Sequence, residues 1–468
     1  MENITVTVIN NNTENKINCN KGDTLLNVLR NAGFYVSADC GGLKKCKKCV
    51  ANVDGECVLS CEYKINTPIT VTLDSTDKSE NHNNVYNIEN ADIILDIGTT
   101  TVNMCFLDGQ KNIVKECSFL NPQKSYGADV ISRVSYIEEN GIESVRSILI
   151  NSLNSEIAAF NKQYNCKIKK AVVVGNTTML HIFYGVDTSS LGKFPYKSNL
   201  LSSVKVSGES LGIFNVDEVV SPPSVSAFFG ADAVSGVEYL KHQKNDNFLL
   251  IDLGTNAEIA LVNGNEVYCT SAPAGPCFEG AEITCGVGAV SGAISHFKIE
   301  NGVNKTETVN GNTPIGICGT GLIDIIGELL RNFIINKNGE FCEDIDEFEI
   351  TDKVYLSGSD IRTFQKAKSA IFSATDILFR KNNLSYNDIS TVFISGGFSE
   401  YVNEANLIRS GILPESFKGK IKSGKNTALL GAKMYLDSKI FNISGSYRYI
   451  DLNQESEFNR NFIENMTF

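Results

Sequence analysis

"DIILDIGTTTVNMCFLD" (92–108) and "FLLIDLGTNAEIALVNG" (248–264) follow one pattern. Each is an apolar run that ends in an aspartate, Asp96 or Asp252, followed by a Gly-Thr turn and a second largely apolar stretch. A short apolar run bounded by turn residues reads as a buried strand. Each stretch therefore predicts a hairpin with an aspartate at the end of its first strand. Two more landmarks are echoed in the same order. "KAVVVGNTTMLHIF" (170–183) and "STVFISGGFSEYV" (390–402) both read as strand, glycine turn and helix start. "FFGADAVSGV" (228–237) and "LLGAKMYL" (429–436) read as helices with a Gly-Ala where another helix can cross closely. Three paired landmarks in one order predict an internal duplication. Its halves are expected over 91–240 and 241–440, with a C-terminal tail over 441–468.

The chemistry of this pattern points to a nucleotide. A tight hairpin rich in Gly and Thr offers backbone N–H groups and hydroxyls to phosphate oxygens. Two such hairpins facing each other would clamp a triphosphate from both sides. An aspartate closing each strand can hold Mg²⁺, directly or through water, or orient an attacking water. A Gly-Gly turn after a buried strand, Gly396-Gly397, lets a flat base and ribose approach the backbone. One such hairpin is a weak signal; two, with the Gly-Gly turn after the second, are a strong one.

The first 75 residues read differently. "ITVTVIN" (4–10) alternates with period two, so Ile4, Val6 and Val8 share a strand face. "GDTLLNVLRNAG" (22–33) reads as a short helix capped by Asp23 or Thr24. "ITVTL" (69–73) reads as a closing strand at a second edge of the same sheet. Between helix and closing strand, "ADCGGLKKCKKCVANVDGECVLSC" (38–61) carries five cysteines. The result is a small β-grasp-like domain over 1–75, with a polar linker over 76–90. The spacing Cys40-x5-Cys46-x2-Cys49, with Gly41-Gly42 directly after Cys40 and Cys61 further on, suits an iron–sulfur cluster, whose sulfides need backbone amides close by. Cys46, Cys49, Cys57 and Cys61 would alternatively make a four-thiolate zinc site.

Composition narrows the class. The chain has 468 residues, enough for two or three domains, and a net charge of −12. Residues 1–75 hold eight basic and eight acidic residues, so the acidic excess lies in the remainder. That balance argues against nucleic acid as a partner, which needs a basic face. Four of those bases, Lys44, Lys45, Lys47 and Lys48, stand among the cysteines as a solvated loop or a docking patch. There is no apolar run long enough for a membrane span and no secretory signal at the start, so no membrane and a cytoplasmic location are expected. Reduced thiols in that compartment favour ligands or buried small residues over disulfides.

The duplicated region resembles the actin, Hsp70 and sugar-kinase type of ATPase, a ribonuclease H-like fold. A narrower resemblance follows "FLNPQKSYGADVISRVSY" (119–136), "VVVGNTTMLHIFYGVD" (172–187), "APAGPCFEGAEITCG" (272–286), "GICGTGLIDIIGELL" (316–330) and "DIRTFQKAKSAI" (360–371). With the cysteine domain in front and "YIDLNQESEFNRNFIENMTF" (449–468) behind, these resemble the reductive activators of corrinoid proteins, in a compact version. The cysteine domain is similar to [2Fe-2S] ferredoxin domains of the adrenodoxin-like spacing. That similarity implies Cys40, Cys46, Cys49 and Cys61 as ligands and leaves out Cys57. Lys44 and Lys47 stand where such domains often have glycine.

The resemblance implies an ATP-hydrolysing activase. Its cluster would pass an electron to Co(II) of a corrinoid protein in a methyltransferase system and regenerate Co(I). For one electron, each ~59 mV uphill costs about 1.4 kcal/mol, and a plant-type ferredoxin cluster lies near about −400 mV, so ATP would support the unfavourable step. Asp96 and Asp252 would serve the Mg²⁺–water network. Gly98, Thr99, Thr100, Gly254, Thr255 and Asn256 would cradle phosphates, and Gly396 and Gly397 would line the adenosine. Gly319 and Gly321 would join them or simply begin a helix. Glu279 would polarise the hydrolytic water, or act as a surface or capping carboxylate. A ferredoxin- or flavodoxin-like protein is the expected electron donor, and a homodimer is compatible with the reading. Electron supply to another low-potential acceptor, or an actin-like ATP-binding redox sensor, are the alternatives.

Overall fold

The computed structural model describes residues 3–10, 13–32, 34, 36, 49–73, 88–243, 246–396, 402–437, 439 and 441–468. The chain divides into two compact units, one over 1–231 with 435–439, the other over 232–434 with 440–468.

The first unit opens with β1 (Asn3–Asn10), β2 (Thr13–Asn20), α1 (Leu25–Asn31), β3 (Val50–Val53), β4 (Glu56–Leu59) and β5 (Ile69–Leu73). They form one sheet of order β2-β1-β5-β3-β4. Alternation works as expected: Ile4, Val6 and Val8 point inward and meet Leu25, Leu26 and Leu29 of α1. Two features differ from the expectation. Residues 50–59, expected within the cysteine loop, form the β3–β4 hairpin, and β5, expected at an edge, lies in the centre of the sheet. Asp54-Gly55 explains both. Both residues adopt positive φ, the geometry of a tight hairpin turn, so 50–59 folds back as two strands and covers β5 from outside.

The unit continues with β6 (Asn90–Ile97), β7 (Thr101–Leu107), β8 (Ile113–Leu120), α2 (Val130–Asn140), α3 (Glu143–Tyr164), β9 (Lys167–Gly175), α4 (Thr177–Tyr184), β10 (Val204–Ser207), α5 (Gly208–Leu211) and β11 (Val216–Ser221). The sheet order is β10-β11-β9-β6-β7-β8. β6, β7 and β8 form an antiparallel meander, while β9 runs parallel to β6 and β11 parallel to β9.

The second unit takes most of α6 (Ala231–His242), then β12 (Asn247–Leu253), β13 (Ala257–Asn263), β14 (Glu266–Ala272), β15 (Ala293–Glu300), β16 (Val303–Thr308), β17 (Gly316–Ile317), α7 (Gly319–Arg331), β18 (Glu347–Thr351), β19 (Val354–Ser357), α8 (Gly358–Lys381), β20 (Thr391–Ser395), α9 (Glu404–Arg409), β21 (Ile421–Lys425), α10 (Thr427–Leu436), β22 (Tyr447–Tyr449) and α11 (Ser456–Glu464). Its main sheet has the order β21-β20-β12-β13-β14-β22. With β12 in the place of β6, the meander and the two parallel neighbours repeat strand for strand. Its core strands and helices carry Leu249, Ile251, Ile259, Ile325, Ile326, Leu329, Ile371 and Leu378, all essentially buried. Each such side chain contributes about 1.5–3 kcal/mol relative to exposure.

The two Gly-Ala helices meet, α10 through its Gly431 but α6 through Ser235 and Gly236 rather than its Gly-Ala pair. Gly431 of α10 lies against the carbonyl of Ser235 in α6, and a β-carbon on Gly236 would stand 2.7 Å from Thr427 Oγ1. The last residues are part of this unit: β22 extends the sheet beside β14, and α11 packs along α8. Among the described residues, no helix is long and apolar enough to cross a membrane.

Candidate functional site

Asp96 is the last residue but one of β6, and Asp252 the last but one of β12. In both hairpins the turn is closed by a glycine amide: Gly98 N–H donates to Thr101 O and Gly254 N–H to Asn256 O, each at 3.0 Å. The strand that follows in each sheet ends beside the aspartate strand. Gly175 pairs with Ile97, and a β-carbon there would stand 2.8 Å from the Ile97 carbonyl oxygen. Gly396 lies in the same way against the Leu253 carbonyl, and a β-carbon on it would also stand 3.2 Å from Asp252 Oδ1. Its φ of 107° is a conformation that L side chains rarely adopt. The duplication thus extends to single backbone contacts. A side chain at 396 would therefore collide with the Leu253 carbonyl and crowd Asp252.

Residues that sequence reasoning did not single out brace the first hairpin. Asn121 donates from Nδ2 to Gly98 O and from its backbone N–H to Thr100 O, both at 2.8 Å. Arg133, fully buried, donates to Thr99 O at 2.5 Å and to Gly127 O at 2.9 Å. Asn176 caps α4 and donates to Thr99 Oγ1 at 3.0 Å. With their carbonyls held behind the turn, Gly98, Thr99 and Thr100 have their backbone tied to Asn121 and Arg133. A buried guanidinium directly beneath also favours anions in front of it. The spacing Asn-Pro-x6-Asp-x3-Arg carries no local signature, so only the fold reveals it.

The second hairpin is built with other side chains. Thr255 Oγ1 donates to Glu279 Oε2 at 2.5 Å. Glu279 ends a one-turn helix, Pro276–Glu279, which Gly280 closes at positive φ. Cross-strand from Asp252 stands Glu258, where the first hairpin has Asn103 opposite Asp96. Loss of surrounding water pushes the Glu258 carboxyl well above the usual range, and the nearby Asp232 and Asp252 push it the same way. Ser271, donating to Glu258 at 3.3 Å, works against that shift.

Gly319 and Gly321 open α7 and are buried. Gly321 lies against the Ile294 carbonyl, a contact that lets α7 sit close on β15. Cys318 precedes the helix and donates from its thiol to Ile294 O at 3.2 Å. Cys277 is buried, and burial pushes its thiol up out of the reactive range.

In the small domain, Cys49 directly precedes β3 and Cys61 follows β4, so both stand at the open end of that hairpin. Both are buried. Ser60 joins their segments, with its N–H and its hydroxyl each 2.8 Å from Cys49 O. Cys57 is exposed and pairs with Asn52 near the turn, at the hairpin's other end. Two buried cysteines at one end of the hairpin are compatible with half of a cluster's ligand set. Cys40, Cys46, Gly397 and the four lysines at 44–48 lie outside the described residues.

Sheet order, paired hairpins and the glycine contacts define the class: a duplicated actin-like, ribonuclease H-like ATPase domain behind a small five-stranded β-grasp domain. The family model described as the RACo middle region matches residues 92–245, and the one described as the C-terminal domain of RACo, the ASKHA domain, matches 246–468. The two adjoin and together span well over half of the chain, which belongs to the RACo family. The corrinoid activation enzyme RamQ of Eubacterium limosum is 31% identical over 382 residues, 74% of this chain and 64% of that protein. The Co(II) methylated amine-specific corrinoid protein reductase of Methanosarcina barkeri is 23% identical over 386 residues, 74% of this chain and 70% of that protein. The chain therefore spans just under two thirds of the first relative's length. A solved structure of a reductive activator for a corrinoid, iron–sulfur protein shares the fold, with a TM-score of 0.73 at 24% identity over 99% of this chain and 98% of that one.

Proposed function

We propose that the protein is an ATP-dependent reductive activator of a corrinoid protein. The observation that carries the reading is the joining, in one RACo-family chain, of twin aspartate hairpins to a domain with two buried cysteines at one hairpin end. The names of the two relatives, one a corrinoid activation enzyme and one a corrinoid protein reductase, support the choice of partner.

Gly98, Thr99 and Thr100 on one hairpin, and Gly254, Thr255 and Asn256 on the other, present N–H groups and hydroxyls to the phosphates of ATP. Asp96 and Asp252 hold the Mg²⁺ that accompanies it, through water or directly. Gly396 and Gly397 admit the adenosine close to the backbone, and at 396 a side chain would collide with the Leu253 carbonyl. Glu279, steadied by Thr255, accepts a proton from the attacking water. Gly319 and Gly321 begin α7, which Gly321 seats against β15. Cys40, Cys46, Cys49 and Cys61 hold a [2Fe-2S] cluster, which supplies single electrons that convert Co(II) of the corrinoid to Co(I). A ferredoxin- or flavodoxin-like donor in the cytoplasm refills it, and a homodimer is compatible with the scheme.

The test mixes the reduced protein with a Co(II) corrinoid protein of a methyltransferase system, with and without Mg-ATP, and follows the cobalt absorbance. Co(I) formation that requires ATP is the expected outcome. ATP binding with no electron transfer to any corrinoid protein would shift the reading to an actin-like redox sensor or to another low-potential acceptor.

A further inference from the structure

One largely buried segment touches both the first hairpin and the cysteine domain. The carbonyls of Gly98, Thr99 and Thr100 are all held by residues of 121–133: the first and third by Asn121, the second by Arg133. Between these two residues the chain makes the short turn Pro122–Tyr126, in which Gln123 and Ser125 are fully buried. Arg133 ties the end of that turn back through Gly127 O, and Gln123 donates to Val145 O at 3.2 Å. The turn reaches the other domain through Ser125, whose hydroxyl donates to Val36 O at 3.3 Å. Val36 is buried in the core of the cysteine domain and stands four positions before Cys40.

The mechanical argument rests on peptide planarity. A peptide unit is rigid, so an N–H that turns toward a phosphate must turn its carbonyl with it. The carbonyls behind this hairpin end on Asn121 and Arg133. The Arg133 fork is planar and spans Thr99 O and Gly127 O at once, so it passes a shift of the first on to the second. Close packing leaves the buried turn little room to absorb the shift locally. We infer that residues 121–133 are a coupling segment, through which nucleotide at the first hairpin regulates the cysteine domain at Val36. The inference rests on the proposed nucleotide role of that hairpin.

Hydrogen exchange on the full-length, cluster-loaded protein tests it, with and without Mg²⁺ and a non-hydrolysable ATP analogue. Iron content and nucleotide affinity are measured on the same samples. In the parent protein, saturating analogue is expected to change exchange in the peptide 25–36 by about fivefold or more, the lower end of ordinary allosteric coupling. Ser125→Ala is expected to keep its iron and its nucleotide affinity within about twofold and to lose that response. Arg133→Lys, which cannot span both carbonyls, is expected to lose it even at saturation, and it carries the test if Ser125→Ala misfolds. An unchanged response in both variants, or none in a parent protein that binds the analogue, overturns the inference. Failure of the parent protein to bind the analogue at all is a separate result, seen in the affinity measurement. It overturns the nucleotide reading, and the coupling falls with it.

Discussion

Thr255 donates its hydroxyl to Glu279 across 24 residues of sequence, joining the second hairpin to the carboxylate proposed to act on water. The contact fixes where that carboxylate points. Glu279→Gln keeps a hydrogen-bond acceptor for Thr255 and removes the base. ATP turnover is expected to fall about 10²-fold or more, the ordinary contribution of a positioned base, while nucleotide affinity stays close to that of the parent. A phosphate-release assay beside a binding titration reads both. Unchanged turnover would return Glu279 to a capping role.

Asp252→Asn keeps size and hydrogen-bonding reach and removes the charge that Mg²⁺ needs. The cluster spectrum and its reduction by an external donor are expected to stay normal. ATP hydrolysis is expected to fall at least about tenfold, or about 1.4 kcal/mol of transition-state stabilisation, and cobalt reduction with it. A variant that hydrolyses no ATP yet reduces the corrinoid normally would show that the two activities are not coupled.

Glu258 faces Asp252 across the hairpin, with its carboxyl pushed well above the usual range. It is neutral below its raised pKa and adds a negative charge beside Asp252 above it. Mg²⁺ binding is therefore expected to tighten as pH rises through that point, with proton release. In Glu258→Gln the tightening should vanish, which titrations of Mg²⁺ at several pH values would detect. An equal pH dependence in both proteins would exclude Glu258 as its source.

Serine at Cys61 is expected to bleach the visible spectrum of the anaerobically prepared protein, and serine at Cys57 to leave it intact with about two irons per chain. The exposed position of Cys57 at the far end of its hairpin motivates the contrast. Stoichiometric zinc without iron would instead support the tetrahedral thiolate site.

Lys368 is buried on α8, donates to Thr467 O and lies 5.4 Å from the ring centre of Phe468. Burial lowers its pKa from 10.5 to about 8. Between those values the unfolded chain binds a proton that the folded chain has released, so stability is expected to rise with pH across this window. The whole rise amounts to about 3 kcal/mol at most. Lys368→Met should flatten it, as read from denaturant midpoints between about pH 7.5 and pH 10.5. A persistent slope in the variant would assign it to other groups.

Sequence alone determined the elements and their repetition. Apolar runs, Gly-Thr turns and Asp-Gly signals act through the local geometry of a few neighbouring residues, so the twin hairpins with Asp96 and Asp252 are legible without a structure. The Asp54-Gly55 turn is legible too, but the cysteines around it point to a loop rather than a hairpin. Tertiary structure alone decided which side chains stand behind those turns. Arg133 reaches Thr99 across 34 residues, and Ser125 reaches Val36 across 89. Glu258 is visible as a residue of the second strand, but only the hairpin register sets it opposite Asp252. The physical reason is that backbone dihedrals and side-chain period repeat along the chain, while burial, hydrogen-bond partners and the charge around a carboxylate depend on segments that meet only when the sheets close.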